Sequence, residues 1–527
     1  MVSRADVEAW IADDVDPAAA RELRHLLDTG DDAELDDRFS GPLTFGTAGL
    51  RGPLRSGPNG MNRTVVRRAA AGLSAWLGTH GFAGRRVVVG YDARYGSADF
   101  ARDSAQILAA AGFDARLMPA ALPTPVTAFA VQHLGAAAGV VVTASHNPPQ
   151  DNGYKVYAED GAQIVPPADR EIEAAIRAVG PARAIPLTDD GVTVLDDAIV
   201  ADYVSAVAAL AADGPRELAV VYTAMHGVGA ALAQRVFAAA GFAPLVTVAQ
   251  QEHPDPDFPT LAFPNPEEPG ALDLSFGLAR SVHADLVLAN DPDADRCAVA
   301  VPGADRTWHM LRGDEVGVLL ADALLRKGIR GTYATTVVSS SLLRALAEAR
   351  GAAYRETLTG FKWIARAAPD LVYGYEEALG YAVAPDLVRD KDGISAALLV
   401  AELAAALKAS GLSLTARLDE LAGEFGRYAT DQVSVRVDDL SLIAATMRRL
   451  RAAPPRSLLG SPVTATDLLP DADVLRLAFD GGRVVVRPSG TEPKLKAYLE
   501  VVDPSGSAAA AAARLRDLRA EVTQLVR

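Results

Sequence analysis

Short apolar runs alternate with longer amphipathic stretches through most of the chain. Arg85 to Gly90, a segment near Arg116, Val140-Val141-Val142, Glu217 to Tyr222, Leu286 to Ala289 and Thr332 to Val338 read as buried strands. Ser97 to Ala111 and Asp314 to Arg326 carry the helical period. Apolar strands alternating with helices predict mostly parallel sheets covered on both faces. Residues 1–40 are Asp-rich and charged, with one helical pattern from Val7 to Leu27, and form an N-terminal extension. The polar, turn-rich segment Ile185 to Asp197 marks a boundary region. Beyond residue 425 the pattern changes to α+β: strand Gln432–Val437, helix Leu442–Arg451, then Val474–Phe479 and Arg483–Val486 around Asp480-Gly481-Gly482, a hairpin signal. The Ala-rich tail Ala508–Val526 predicts a terminal helix with Leu515, Leu518, Val522 and Leu525 on its core-facing stripe. These patterns divide the chain at 1–40, 41–205, 206–305, 306–425 and 426–527. No internal repeat is visible at the level of sequence.

Three loops placed against these strands carry chemistry. Thr143-Ala-Ser-His-Asn-Pro-Pro-Gln-Asp-Asn-Gly-Tyr-Lys155 follows the valine run, so Ser145 lies just past a strand end, where open α/β sheets bind ligands. Pro148, Pro149 and Gly153 argue against helix or ladder through this loop, and His146 and Lys155 put two proton-transfer groups near the hydroxyl. Asp291-Pro-Asp-Ala-Asp-Arg296 follows strand Leu286–Ala289. Its three alternate carboxylates can converge on one hard cation, while Arg296 at the sixth position excludes an EF-hand, which needs glycine there. Mg²⁺ suits a site with few protein ligands, open to water and a phosphate oxygen. Arg487-Pro-Ser-Gly-Thr-Glu-Pro-Lys494 offers a guanidinium fork, the Ser489 and Thr491 hydroxyls, and an anion-accessible backbone at Gly490. Serine nucleophile, acidic metal loop and phosphate cradle together point to phosphoryl transfer.

Composition narrows the classes. At 527 residues the chain exceeds one hydrophobic core and predicts three or four domains. The single cysteine, Cys297, excludes a disulfide framework and suits a reducing compartment. The opening residues lack a charged-then-apolar leader pattern. The longest charge-free stretch, Leu117 to Gln150, is broken by Pro119, Pro123, Pro125 and Gly135, so it does not read as a membrane span. A cytoplasmic protein, monomeric or weakly self-associating, is expected, with no membrane partner. A net charge of −16 argues against nucleic acid, which needs a basic footprint. It does not exclude an anionic substrate, because screening over about 8 Å makes distant carboxylates matter little to a cleft. The local sign matters more, and Arg51, Lys155, Arg296, Lys391 and Arg487 sit in the candidate loops. Gly227-Val-Gly229-Ala230 lacks the third glycine of a dinucleotide loop and is discounted.

With these motifs, and with Thr44-Phe-Gly-Thr-Ala-Gly-Leu-Arg51 and Gly374-Tyr-Glu-Glu-Ala-Leu-Gly380 in the same order, the chain resembles the α-D-phosphohexomutase superfamily of phosphoglucomutases and phosphomannomutases. The resemblance covers nearly the whole chain. Gly360-Phe-Lys-Trp-Ile364 and the Glu-Glu-Ala-Leu-Gly form are similar to the second phosphoglucomutase branch, which includes phosphopentomutases. It implies three similar mixed α/β domains with mostly parallel sheets, plus the C-terminal α+β domain, around a central cleft. The implied activity moves phosphate between sugar O1 and a terminal oxygen through phosphoserine at Ser145 and a bisphosphorylated sugar. A sugar bisphosphate would prime Ser145. One Mg²⁺ per chain would be held by Ser145, Asp291, Asp293 and Asp295. Lys155, helped by His146, would transfer protons, and Arg51 would steady the reacting phosphate. Arg487, Ser489, Gly490 and Thr491, with Lys391 nearby, would hold the other phosphate; Arg296 would also contact substrate, and Thr359, Gly360 and Glu376 would read sugar hydroxyls. Many hexose-specific relatives carry serine where this chain has Ala378, which leaves a phosphopentomutase as the alternative. A metal-dependent sugar phosphatase is the rival from a different class.

Overall fold

The computed structural model describes every residue except Met1, 46–48, 304, 306, 438, 490–493 and 527. The chain forms two compact units. The first comprises Met1–Met310 with Gly380–Ala405, and the second Leu311–Leu379 with Ala406–Arg527.

The first unit opens with three helices, Arg4–Asp13, Pro17–Thr29 and Asp32–Arg38, where the sequence pattern predicted one. The break is local chemistry: the Asp16 side chain accepts from Ala18 N, and Pro17 occupies the first turn, so a new helix starts there. Val7, Leu23 and Leu35 form the small core of this extension.

Its first sheet comprises β1 (Leu50–Pro53), β2 (Arg86–Tyr91), β3 (Asp114–Leu117), β4 (Ala138–Val142), β5 (Asp151–Ala158) and β6 (Val192–Val194), in the order β1-β5-β4-β2-β3-β6. Thus the polar segment Ile185–Asp197 is no free linker: β6 pairs in parallel with β3 at the sheet edge. The second sheet comprises β7 (Val220–Thr223), β8 (Val246–Thr247), β9 (Leu286–Ala289), β10 (Ala298–Pro302) and β11 (Trp308–Met310), in the order β11-β10-β9-β7-β8. Both sheets are mixed, as expected: the strands joined through helices, β2, β3, β4 and β6 in the first sheet and β7, β8 and β9 in the second, pair in parallel. β5 returns antiparallel to β4, and β10 antiparallel to β9. The loops between them are too short for the crossover that a parallel return requires. These short returns carry Ser145 and the three aspartates.

In the second unit β12 (Thr332–Thr336) is flanked in parallel by β13 (Ala353–Thr357) and β14 (Leu371–Glu376). The short strand β15 (Gly380–Ala382) belongs to the first unit, where Gly380 bridges to Arg296. The C-terminal sheet is antiparallel, as expected. It runs β16 (Arg427–Arg436), β22 (Lys494–Asp503), β21 (Gly482–Pro488), β20 (Leu475–Phe479), β19 (Thr464–Asp467), beside a small ribbon of β17 (Ser457–Leu458) and β18 (Ser461–Pro462). Helix Ala508–Val526 buries Leu515, Leu518, Val522 and Val526 on it, with Leu525 half-buried at the margin. Among the described residues no single helix is long and apolar enough to cross a membrane.

Candidate active site

β4 is buried along its whole length and delivers the chain to Ser145. There the backbone turns sharply. The Thr143 hydroxyl accepts from Ser145 N at 2.9 Å, and Ser145 adopts φ 53°, a left-handed conformation that costs a non-glycine residue about 1–3 kcal/mol. The strain is held in place by Arg94, whose guanidinium donates to the carbonyls of Ser145 (2.7 Å), Asn147 (2.5 Å), Pro148 (2.8 Å) and Asp151 (3.1 Å). Asp92 lies 3.4 Å from Arg94 Nε, pairing this buried cation. The ladder begins earlier than the sequence suggested, because β5 starts at Asp151 and Gly153 pairs with Arg51. Glycine makes this possible: a Cβ there would lie 2.6 Å from the Thr143 carbonyl oxygen and 2.7 Å from that of Leu50.

The metal-loop carboxylates do converge. Oxygens from Asp291, Asp293 and Asp295 lie within 4.8 Å of one another, all buried. Ser145 Oγ donates to Asp291 Oδ2 at 2.7 Å, and the His146 ring nitrogen lies 3.2 Å from the same hydroxyl. Asp293 Oδ2 accepts from the Thr124 hydroxyl (2.7 Å) and from Lys155 Nζ (2.8 Å). Lys155 also reaches Asp295 Oδ2 at 3.0 Å, and Lys391 Nζ lies 3.3 Å from that oxygen. Arg296 donates its backbone N–H to Asp291 Oδ1 at 3.0 Å. Arg51 donates to Asn147 at 3.3 Å, with its Nε buried and unpartnered. The serine, both proton-transfer candidates, Arg51, Arg296 and the triad are therefore one cluster. Lys391 stands within hydrogen-bonding range of Asp295 and so adds a second ammonium to this cluster.

Charge in this cluster is unevenly distributed. Burial, followed by repulsion from Asp293 and Asp295, pushes the Asp291 carboxyl well above the usual range. Burial also acts against ionisation of Asp293, but Lys155 and the hydrogen bonds from Lys155 and Thr124 outweigh it and hold that carboxyl low. For Lys155, burial is outweighed by Asp293 and Asp295, so its ammonium form is favoured. Burial, together with the Arg296 and Arg51 guanidiniums, holds the His146 imidazole well below its ordinary range. The Asp293 and Asp295 Oδ1 atoms are buried without a hydrogen-bond partner. Three buried carboxylates with oxygens within 4.8 Å of one another, two of them carrying an unpartnered oxygen, fit a divalent hard cation.

The second unit carries the other candidates. Glu376 ends β14, Gly360 sits at φ 109° at the start of helix Phe361–Ile364, and Thr359 precedes it. Arg487 lies near the end of β21, and Ser489 N donates to the Lys494 carbonyl at 2.8 Å across the loop's base. Gly490 and Thr491 fall outside the described residues. Asp314, buried nearby, accepts from Ser340 N (2.6 Å) and the Tyr375 hydroxyl (3.0 Å). Burial, with Glu377 and Glu500 adding repulsion, raises its carboxyl to about 7. The unfolded chain releases this proton near pH ~4, so the stability this group contributes is full below that value and is lost as pH rises to about 7. Asp314→Asn keeps the accepting oxygen and removes the charge. Its melting temperature should match wild type near pH ~4 and exceed it by several degrees at about pH 8, read by thermal unfolding across pH.

Four models of the phosphoglucomutase/phosphomannomutase family match in succession: alpha/beta/alpha domain I over residues 42–182, domain II over 201–304, domain III over 312–425 and the C-terminal domain over 433–518. The chain belongs to this family. A Haemophilus influenzae protein named "Probable phosphomannomutase" is 48% identical over 455 residues, covering 84% of this chain and 93% of that protein. The mouse protein named "Phosphopentomutase" is 35% identical over 569 residues, covering 96% and 92%. The solved structure of a phosphoglucomutase/phosphomannomutase family protein from Burkholderia thailandensis shares the fold, with TM-score 0.72 at 22% identity over 91% of this chain and 97% of that one.

Within this phosphoglucomutase/phosphomannomutase family member, sequence reasoning missed three supports of the site. Arg94 shapes the Ser145 loop, Thr124 orients Asp293, and Asp390, next to Lys391, accepts from Tyr157 and Gln163 at 2.8 Å each. The signal for Arg94 was present: Asp92-Ala-Arg94 follows a buried strand as Ser145 does. A repeat also emerges. After β7, Thr223-Ala-Met-His226 turns as Thr143-Ala-Ser-His146 does, with Met225 N bonded to the Thr223 hydroxyl at 3.0 Å and Met225 at φ 51°. After β12 the Thr336 hydroxyl accepts from Val338 N at 3.4 Å.

Proposed function

We propose that this protein is a phosphosugar mutase, interconverting the 1-phosphate and 6-phosphate of glucose and/or mannose through a phosphoserine at Ser145. The observation that carries this reading is Ser145 Oγ, bonded at 2.7 Å to a buried three-carboxylate cluster and 3.2 Å from His146. Asp291, Asp293 and Asp295, with an oxygen of the Ser145 phosphoryl group, would hold one Mg²⁺, which when bound offsets charge on the transferring group. Ser145 gives its phosphoryl group to the sugar's free hydroxyl, whose proton passes to the neutral His146 imidazole, while Lys155, held as the ammonium by Asp293 and Asp295, is the acid of the pair. The P–O bond to Ser145 Oγ breaks as the bond to the sugar oxygen forms, leaving a sugar bisphosphate. The sugar turns, its other phosphoryl group returns to Ser145 Oγ, and the proton goes back to the sugar oxygen. Arg51 steadies the reacting phosphate. Arg487 and Ser489 hold the other phosphate, with Gly490 and Thr491 completing the cradle. Arg296 and Lys391 supply further positive charge to the substrate. Thr359, Gly360 and Glu376 read hydroxyls. A sugar bisphosphate primes Ser145 when it has lost its phosphoryl group. A cytoplasmic setting and a monomer or weak oligomer complete the proposal.

The rival phosphatase would instead pass the Ser145 phosphoryl group to water and release inorganic phosphate. Because Arg487 would anchor whichever phosphate is idle, Arg487→Ala should raise KM about tenfold or more for the 1-phosphate and the 6-phosphate alike. Steady-state kinetics in both directions check this, and an effect in one direction alone counts against a shared anchor.

Ala378 supports a second reading, a phosphopentomutase, as does the similarity to the mouse protein of that name. A site that lacks a hydrogen-bonding partner discriminates less against sugars lacking the matching hydroxyl. The test is kcat/KM on glucose, mannose, ribose and deoxyribose 1-phosphates, in wild type and Ala378→Ser. A hexose preference beyond about 10⁴-fold would defeat the pentose reading.

A further inference from the structure

In the second unit, the face of β21 that carries Arg487 is seated on the loops that carry the sugar-reading candidates. Side chains alternate along a strand, so Arg483, Val485 and Arg487 share one face. Val484 and Val486 point the other way, into the C-terminal domain's own core. Val485 packs with Val337, Val338, Val474 and Tyr498, and Leu358 lies against this group. Leu358 immediately precedes Thr359 and Gly360.

Arg483 ties this seam together electrostatically. Its Nε lies 3.1 Å from Glu500 Oε1 and its Nη1 3.3 Å from Glu356 Oε2, while its Nη2 donates to the Ser339 carbonyl. Glu500 accepts from Ser341 N at 2.7 Å and from the Ser341 hydroxyl at 2.5 Å. On the other side, the Ser339 hydroxyl donates to Glu377 at 2.8 Å, next to Glu376. The chain of bonds therefore runs from the phosphate-anchor strand, through Ser339–Ser341, to the sugar loop. Arg483 and Glu500 are nearly buried, at 12% and 5% side-chain exposure, so the planar fork fixes a geometry instead of dangling in solvent.

We propose that Arg483 is a positioning residue that sets the distance and orientation between Arg487 and the Glu376–Glu377 sugar loop, acting through Ser339–Ser341. The proposal rests on the mutase reading above. Four residues of antiparallel strand span about 14 Å, so Arg483 does not reach a phosphate held at Arg487. Its effect is on alignment: a sugar phosphate must meet the anchor at one end and the hydroxyl readers at the other, and a misplacement near 1 Å can cost about 100-fold.

The experiment is a double-mutant cycle on the full-length enzyme, with Arg483→Ala, Arg487→Ala and the pair assayed on glucose 1-phosphate primed with glucose bisphosphate. Arg483→Ala should lower kcat/KM by about 10- to 100-fold. In the Arg487→Ala background it should cost less than about threefold, because the anchor it aligns is gone. Arg483→Lys, lacking the fork, should restore little. Ser341→Ala removes one bond to Glu500 and should give the same pattern at smaller amplitude, which covers a failure of Arg483→Ala to fold. Equal losses in both backgrounds, or wild-type kcat/KM in Arg483→Ala, overturn the proposal. If wild type isomerises no sugar phosphate, the mutase reading falls by itself. The cycle is then run on calorimetric binding of glucose 1-phosphate, where the same non-additivity supports the alignment role and additivity defeats it.

Discussion

Ser145→Ala should reduce kcat by about four orders of magnitude or more while the protein stays folded. Loss of a nucleophile removes the covalent route entirely, and what remains is positioning without a phosphoryl carrier. The substitution deletes one hydroxyl that donates to Asp291 and leaves the loop's main supports, the Thr143 turn and the Arg94 bonds to backbone carbonyls, in place. Circular dichroism and melting should therefore resemble wild type. Intact-mass spectrometry after incubation with a sugar bisphosphate should find a phosphoryl group on wild type and none on the variant. Turnover within tenfold of wild type would remove Ser145 from the mechanism.

Asp293→Asn should be nearly as damaging to activity, about 10³-fold, yet should not weaken the metal-free fold in proportion. Three carboxylates crowd together within 4.8 Å, and Asp291 is pushed well above its usual range partly by repulsion from its two neighbours. Neutralising Asp293 relieves that repulsion but withdraws a partner from Lys155, which retains Asp295 at 3.0 Å. The net effect on the apo protein should be small. The diagnostic readout is stabilisation by metal: millimolar Mg²⁺ should raise the melting temperature of wild type, through preferential binding to the folded state, and leave Asp293→Asn unmoved. Identical Mg²⁺ responses in the two proteins would place the cation elsewhere.

The elements that were legible in the sequence share a property: an apolar run ends and a polar loop begins. Val140–Val142 into Ser145, and Leu286–Ala289 into Asp291, announce themselves because burial and chemistry change within a residue or two. Parallel pairing was legible where a helix lies between two strands, as between β2 and β3; the antiparallel returns to β5 and β10 were not, because nothing in the periodicity marks a short polar loop as a reversal. Nor was Gly153 recognisable as a ladder residue, because its role is a close approach between Thr143 and Leu50 that only the paired strands create. Arg94 escaped for a related reason. It acts on backbone carbonyls, which every sequence supplies, so no partner residue marks it. The Thr-Ala-Ser-His and Thr-Ala-Met-His turns differ at the residue that carries the chemistry, and their kinship appears in the shared hydrogen bond and positive φ.

The central claim, that one phosphoryl group leaves Ser145 for the sugar and another returns from the sugar's opposite end, has a direct test. Ser145 is loaded with radiolabelled phosphate from a labelled sugar bisphosphate, the protein is freed of small molecules, and unlabelled glucose 1-phosphate is added for a single turnover before quenching. The account predicts that label leaves the protein at the rate of product formation and appears first in sugar bisphosphate, then at O6 of the product, with none as inorganic phosphate. Label released as inorganic phosphate in step with substrate consumption, or label still on the protein after product has formed, would contradict it.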